Sequence, residues 1–143
     1  MSMPNTPVAR FLRSLTLQDS TTENIAPASH FADLFMAVNP QGVQCVRAAD
    51  FALALPKRKQ FFKSHGHRST TLLSVHETAI DASHLLAKTR WRFAFDRTAG
   101  DPLEIDVDST FILETSAEAM KILFYLNSQD PFELLKQQTS VPA

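Results

Sequence analysis

Two long segments in the second half of the chain alternate strictly between apolar and polar positions. Over residues 84–96 the mostly apolar side consists of Leu85, Ala87, Thr89, Trp91, Phe93 and Phe95. Over residues 103–113 the corresponding side consists of Leu103, Ile105, Val107, Ser109, Phe111 and Leu113. A period of two is typical of β-strands with one buried face. The pattern therefore predicts two strands whose apolar sides cover one core.

The polar sides of these two strands carry opposite charges. The first is basic and the second acidic, with Lys88, Arg90 and Arg92 against Glu104, Asp106 and Asp108. The intervening segment contains Gly100 and is typical of a hairpin loop. If Asp96 and Pro102 flank that loop as a pair, the basic row meets the acidic row, with Arg92 opposite Asp106. Arg90 then lies opposite Asp108, and this register is specific because a shift by one residue would invert both faces.

The first half of the chain shows helical spacing instead. A short amphipathic helix near the N-terminus is indicated by Phe11, Leu12 and Leu15. A second helix is predicted over residues 27–34, with a proline in its first turn. A third is predicted from a cap at Asp50 to about residue 64, kinked or divided at Pro56.

The remaining segments complete the pattern. Short strands are predicted over 35–38 and 43–47, joined by a turn, and longer ones over 70–80 and 119–127. A short C-terminal helix is predicted to begin at a cap formed by Asp130. Helices gathered in the first half and strands in the second are typical of an α+β fold, not of alternating βαβ units.

Composition excludes several function classes. The chain has 143 residues and is expected to form a single domain, with a core over about residues 8–138. Its three glycines stand apart, which excludes glycine-rich phosphate loops, and its one cysteine excludes a multi-cysteine zinc site. A net charge of −1 argues against nucleic-acid binding. The chain shows neither a signal peptide nor an apolar run of membrane-spanning length, so we expect a cytoplasmic protein without membrane contact.

The order of elements and the segment FADLFMAVNPQG, residues 31–42, resemble the nuclear transport factor 2-like superfamily. This superfamily includes SnoaL-like cyclases and ketosteroid isomerases. The resemblance extends over about residues 11–132. It implies a cystatin-like cone in which N-terminal helices pack on a bent antiparallel sheet, with a pocket at the wide end. The chain closely resembles the many small SnoaL-like proteins without an assigned activity.

The chain departs from the isomerase pattern at its catalytic positions. Asn39 stands where the resemblance places the catalytic aspartate, and a carboxamide cannot shuttle a proton as a carboxylate does. The first helix offers Phe11 and Leu15 where the isomerases have a tyrosine, and Ser109 falls near their protonated aspartate. Steroid isomerisation by that mechanism is therefore not expected.

The mostly apolar side of the two long strands is the candidate ligand pocket. Its residues, with Asn39 added, are Asn39, Trp91, Phe93, Phe95, Val107, Ser109 and Phe111. An apolar wall with few polar groups is typical of a site for a small apolar molecule. The alternative is that these side chains simply fill the core beneath the helices.

His30 and Asp33 are the candidate catalytic residues, because three-residue spacing would place them on one side of the predicted second helix. There the carboxylate could orient the imidazole as a general base. The alternative is a local hydrogen-bonded pair at the surface. His65 and His67 lack a nearby third ligand, so neither a metal site nor a cofactor is expected. The basic cluster around Lys57 and Lys63 is interpreted as a solvated helix face.

The charged side of the sheet is expected to carry some apolar residues, namely Ile112, Leu123 and Tyr125. Apolar groups rimmed by charge favour a partner surface. The resemblance implies a homodimer through this outer sheet face. Two hypotheses follow: an enzyme performing cofactor-independent acid–base chemistry on a small molecule, or a non-catalytic module for ligand binding or dimerisation.

Overall fold

The computed structural model describes residues 6–17, 30–97, 100–115, 120–130 and 133–134. Within these ranges it contains two helices and six strands: α1 (Pro7–Leu17), β1 (Phe31–Asn39), β2 (Gly42–Arg47), α2 (Ala48–Ser64), β3 (His67–Ala79), β4 (His84–Phe95), β5 (Leu103–Glu114) and β6 (Lys121–Asn127). The strands form one sheet in the order β2-β1-β6-β5-β4-β3. The predicted α+β class is confirmed, although β1 and β6 are parallel and the sheet is therefore mixed.

The hairpin of β4 and β5 has the predicted register. Arg92 lies opposite Asp106, and Arg90 lies opposite Asp108. In each pair the arginine Nε donates to a carboxylate oxygen at 2.8 Å, and Nη2 donates to the other oxygen. These hydrogen bonds hold the pKa of both aspartates below its usual value. Because the pairs are exposed to water, they contribute to register more than to stability.

The predicted helix over residues 27–34 is wrong where the structure can test it. Residues 27–29 lie outside the described ranges, and β1 begins at Phe31. Phe31 and Phe35 are both buried, as expected for two residues four apart on one strand, which lie on the same face. The pairing of β1 with β6 is irregular between Phe31 and Met36. A spacing of four between apolar residues imitates a helix in the sequence.

Helix α2 differs from its prediction at its first turn. The N-cap position is Arg47, without a side-chain capping bond, and Asp50 lies inside the first turn. Asp50 therefore does not cap the helix, but its carboxylate lies where the helix dipole favours negative charge. Pro56 lies within the helix and does not divide it. The short C-terminal helix is described only at residues 133–134, where the Leu134 N–H donates to the Asp130 carbonyl at 3.0 Å.

Strand β6 presents different residues to the core than predicted. Tyr125 lies opposite Phe111, and Phe124 lies opposite Ile112 on the other side of the sheet. The register shifts between Ile112 and Leu113, so Leu123 forms a bulge that changes the alternation along β6. The placement of Tyr125 on the charged side is therefore wrong, since its ring stacks on Phe111 at 6.3 Å between centroids.

Both helices cover the same face of the sheet, which we call the inner face. Val8 and Leu12 of α1 belong to one buried cluster with Trp91 and Phe111. Phe62 of α2 belongs to a second cluster with Phe95, Ile105 and Val107. The opposite side, with the arginine–aspartate pairs, is the outer face. Burial of these aromatic and aliphatic side chains is the main stabilising contribution.

Candidate functional site

A cavity of about 670 Å³ lies on the inner face, between α2 and the hairpin of β1 and β2. We call it the hairpin groove. Its lining residues are Ala37, Asn39, Gln41, Gly42, Val43, Gln44, Val46, Asp50, Phe51, Ala54, Leu55, Lys57, Arg58, Phe61 and Tyr125. Its volume falls within the range of about 300–1,000 Å³ that small-molecule pockets occupy.

Aromatic rings in the groove are held by other rings behind them. The Phe51 ring lies 4.8 Å from Phe31 and 5.4 Å from Phe35, centroid to centroid. The Tyr125 ring lies 6.0 Å from Phe31 and stacks on Phe111. Phe31, Phe35 and Phe111 are buried. Because a packed core allows little rearrangement, the groove keeps a preformed aromatic surface.

The polar lining that does not belong to α2 is neutral. The Oδ1 atom of Asn39 accepts a hydrogen bond from the Gln41 N–H at 2.9 Å, which closes the turn between β1 and β2. In the described ranges, the Tyr125 hydroxyl forms no hydrogen bond. Charged side chains enter the lining from α2, where the Arg58 guanidinium lies 5.9 Å from the centroid of the Phe62 ring.

The residues predicted to bind a ligand lie mostly in the core. Trp91, Phe95, Val107, Ser109 and Phe111 are buried, and Phe93 is half-buried. Of the predicted set, Asn39 alone is among the described residues that line the hairpin groove. The structure thus places the aromatic strand residues behind or beside the groove, and their contact with a ligand stays a prediction.

A row of hydrogen-bonding side chains crosses the inner face of β4, β5 and β6. The Trp91 Nε1–H donates to Thr89 Oγ1 at 2.8 Å, and the Thr89 hydroxyl donates to the Ser109 carbonyl at 2.9 Å. The Ser109 hydroxyl donates to Asn127 Oδ1 at 2.5 Å. Thr89 and Ser109 are each only 5% exposed. Buried polar groups normally need such partners, and here they satisfy one another.

His30 and Asp33 do not share a helix. His30 lies in a helical turn directly before β1, whereas Asp33 is an exposed residue of the strand. The His30 Nε2 atom lies 2.9 Å from the Ser14 hydroxyl, and its ring lies 4.8 Å from that of Phe11. Burial, with a smaller effect from the nearby Lys121 charge, lowers the pKa of His30 below its usual value. The predicted helical His30–Asp33 pair is wrong, while a catalytic role for either residue stays a prediction.

The two histidines beside Gly66 have local partners. His65 Nδ1 lies 2.9 Å from the Phe61 carbonyl, and His67 Nε2 lies 2.8 Å from the Thr70 hydroxyl. Over the described residues, no cluster of three or more potential metal ligands is found. Nor does any helix within those ranges combine the length and the apolar character needed to cross a membrane.

Sequence reasoning missed Tyr125 and Asn127 as inner-face residues. Strict alternation places both on the opposite side, because the sequence gives no signal for the bulge at Leu123. It also missed the groove face of α2. Phe51, Leu55 and Arg58 lie at helical spacing there, but the sequence pattern of this segment predicts only a helix with a basic surface.

Comparisons with known proteins identify structural neighbours only. No protein-family model and no curated protein matches this sequence. A protein from Novosphingobium aromaticivorans described as NTF2-like with a cystatin-like fold superposes with a TM-score of 0.70 at 8% identity, covering 87% of this chain and 80% of that one. An NTF2-like protein of unknown function from Shewanella oneidensis gives 0.66 at 11% identity, covering 85% and 96%. A putative calcium/calmodulin-dependent protein kinase II association domain from Xanthomonas campestris gives 0.67 at 12% identity, covering 92% and 94%.

Proposed function

The chain has the NTF2-like, cystatin-like fold, and from that premise we propose that it binds a small, largely aromatic molecule in the hairpin groove. The fold by itself does not specify an activity, because one fold hosts many functions. The observation that carries the proposal is the groove itself, which combines suitable volume with the preformed aromatic surface of Phe51 and Tyr125.

The groove supports binding better than acid–base chemistry. Its described lining contains no histidine, and His30 is held by α1 through Ser14. Asp50 lines the groove but lies on the exposed first turn of α2. A general base must reach the proton that it removes, and neither candidate catalytic residue is among the groove's described lining. Of the two hypotheses, the non-catalytic ligand-binding module therefore has the stronger support.

Filling the groove tests this proposal. Ala54 is an exposed residue of α2 that lines the groove, so Ala54→Trp places an indole in the cavity without removing a buried group. Ala49→Trp adds the same side chain on α2 outside the lining. A ligand that binds the native state raises the unfolding temperature. We expect members of a panel of small aromatic molecules to stabilise the wild type and Ala49→Trp but not Ala54→Trp.

Two results would count against the proposal. One is a panel without any molecule that raises the unfolding temperature of the wild type. The other is stabilisation of Ala54→Trp by the same increment as the wild type, because a ligand bound elsewhere would not be displaced by an indole in the groove.

Self-association through the outer face is a second candidate function. Three large apolar side chains on the outer face of β1 and β2 are exposed, namely Leu34 (58%), Met36 (38%) and Val43 (62%). Val43 lies on the edge strand and also contributes to the lining of the groove. Met36 also lies beside Phe124, which continues the apolar surface onto β6. Contiguous exposed apolar surface is typical of interaction sites. We propose that a second copy of the chain covers it, and the neighbour described as an association domain has the same fold.

A charge introduced on this apolar surface should distinguish a dimer from a monomer. Met36→Glu would place a carboxylate in the proposed interface, where its desolvation is unfavourable. Leu53→Glu introduces the same charge at a side chain of α2 that is 79% exposed. By light scattering we expect a dimer for the wild type and Leu53→Glu and a monomer for Met36→Glu. A monomeric wild type at high concentration, or a dimeric Met36→Glu, contradicts the interface.

A further inference from the structure

We infer that the side-chain amide of Asn127 is a ligand-binding donor, and that the molecule bound in the groove therefore carries a neutral carbonyl oxygen. This inference rests on the proposed binding function and adds the chemical class of the ligand. Asn127 is absent from the groove's lining but lies two residues beyond Tyr125 on β6, and alternation along a strand brings both to the inner face.

The hydrogen bonds of the polar row orient this amide. Thr89 uses its hydroxyl hydrogen on the Ser109 carbonyl and receives the Trp91 N–H, so the row is anchored in the core. The Ser109 hydroxyl donates to Oδ1 of Asn127 at 2.5 Å. With Oδ1 turned toward Ser109, the Nδ2 atom carries two N–H donors on the other side of the amide.

The two N–H donors of Asn127 Nδ2 are the groups of this polar row that a ligand could use. Within residues 6–17, 30–97, 100–115, 120–130 and 133–134, Nδ2 of Asn127 has no acceptor. The side chain is half-buried, whereas Thr89 and Ser109 are almost fully buried. An amide donor at the accessible end of an otherwise satisfied network is therefore available to a bound molecule.

The surroundings of Asn127 select a neutral acceptor. Strands β1 and β6 are parallel with Val38 opposite Leu126, so Asn39 is the next residue beside Asn127. Ser109 lies on its other side. These inner-face neighbours and Tyr125 carry no formal charge, and the charged residues of the groove's lining, Asp50, Lys57 and Arg58, all belong to α2. An ionised ligand group beside Asn127 would therefore be desolvated without an ion partner on the strands that flank it. A ketone, amide or ester oxygen accepts the N–H bonds without that unfavourable desolvation.

A matched pair of probes tests the inference on the wild-type protein. Acetophenone and ethylbenzene have closely similar carbon skeletons and differ in the carbonyl oxygen. In ¹⁵N-labelled protein we expect acetophenone to shift the side-chain amide signals of Asn127 and ethylbenzene to leave them in place. One added hydrogen bond should make the ketone bind about fivefold more tightly than the hydrocarbon.

The substitution Asn127→Asp isolates the donor. An aspartate keeps an oxygen to accept the Ser109 bond and is nearly isosteric, but it has no N–H to give. We expect the fivefold preference for acetophenone to disappear while ethylbenzene affinity stays the same. Gln60→Glu makes the same amide-to-carboxylate change at an exposed position of α2 outside the groove and should keep the preference.

The results distinguish failure of the carbonyl inference from failure of the proposal that the groove binds a ligand. If both probes bind the groove equally and the Asn127 amide signals stay unchanged, the carbonyl inference is overturned and groove binding stands. A preference for acetophenone that survives in Asn127→Asp overturns the inference as well. If neither probe binds, the inference and the binding function both fail.

Discussion

The imidazole of His30 is packed against α1, beside the Phe11 ring and the Ser14 hydroxyl. The Ser14 hydroxyl lies 2.5 Å from the Phe11 carbonyl and donates to it, so the Nε2–H tautomer of His30 can donate to Ser14 in turn. Burial opposes the charged form, and Lys121 adds like-charge repulsion. At the residue scale, His30 is therefore a neutral group that ties the start of β1 to α1.

This arrangement predicts a pH dependence of stability. The pKa of His30 is below about 6.5 in the folded chain and near that value when unfolded. Between the two values the unfolded chain binds more protons, so the free energy of unfolding falls as the pH decreases through this window and then levels off. In His30→Gln, the free energy of unfolding should not show this decrease with falling pH. Denaturant unfolding at several pH values compares the two proteins, and equal pH slopes would contradict the assignment.

Gly66 determines how α2 is followed by β3. Its φ angle is +86°, in the left-handed region that side chains disfavour. The Gly66 N–H donates to the Lys63 carbonyl at 3.0 Å, and the Gly66 carbonyl accepts from the Asp96 N–H at 2.8 Å. A Cβ at this position would lie 2.4 Å from the Asp96 carbonyl oxygen. The end of the helix and the end of β4 are therefore joined through one glycine.

Gly66→Ala is expected to lower the free energy of unfolding by about 1–3 kcal/mol, because the clash with Asp96 adds to the left-handed strain. Gly100→Ala is the matched control, since its φ is +89° but its Cβ would have nothing within 4 Å. That control should lose about 1–2 kcal/mol at most. Equal losses in urea unfolding would show that the close approach to Asp96 is unimportant.

Prediction of the elements from sequence succeeded where alternation is unbroken. The β4–β5 pairing was predicted residue by residue, because charge and apolar periodicity agree on one register. It failed where the apolar spacing of a strand also fits a helix, and where a strand is irregular. In β1 the buried pair Phe31 and Phe35 imitates helical spacing, and in β6 the bulge at Leu123 changes the side on which Tyr125 lies. A bulge depends on the partner strand, so it leaves no local pattern.

At the scale of the whole molecule, the two faces of the sheet have different roles. The inner face carries the core and the hairpin groove, and the outer face carries the arginine–aspartate pairs and exposed apolar residues. The α+β class was predictable because most strands follow one another in the second half of the chain and do not alternate with helices. The groove could not be predicted from the sequence. It is formed between α2 and a hairpin whose inner residues, such as Ala37 and Gln44, form no pattern that indicates a ligand site.

A titration of the wild-type protein with acetophenone, followed by the backbone amide signals in NMR, tests the central claim most directly. Binding in the groove predicts saturable shifts that cluster at residues of β1, β2 and α2 around the cavity, such as Ala37, Gln44, Phe51 and Ala54. Spectra that do not change at any probe concentration, or shifts confined to outer-face residues such as Ile112, would contradict the claim that this groove binds a small aromatic molecule.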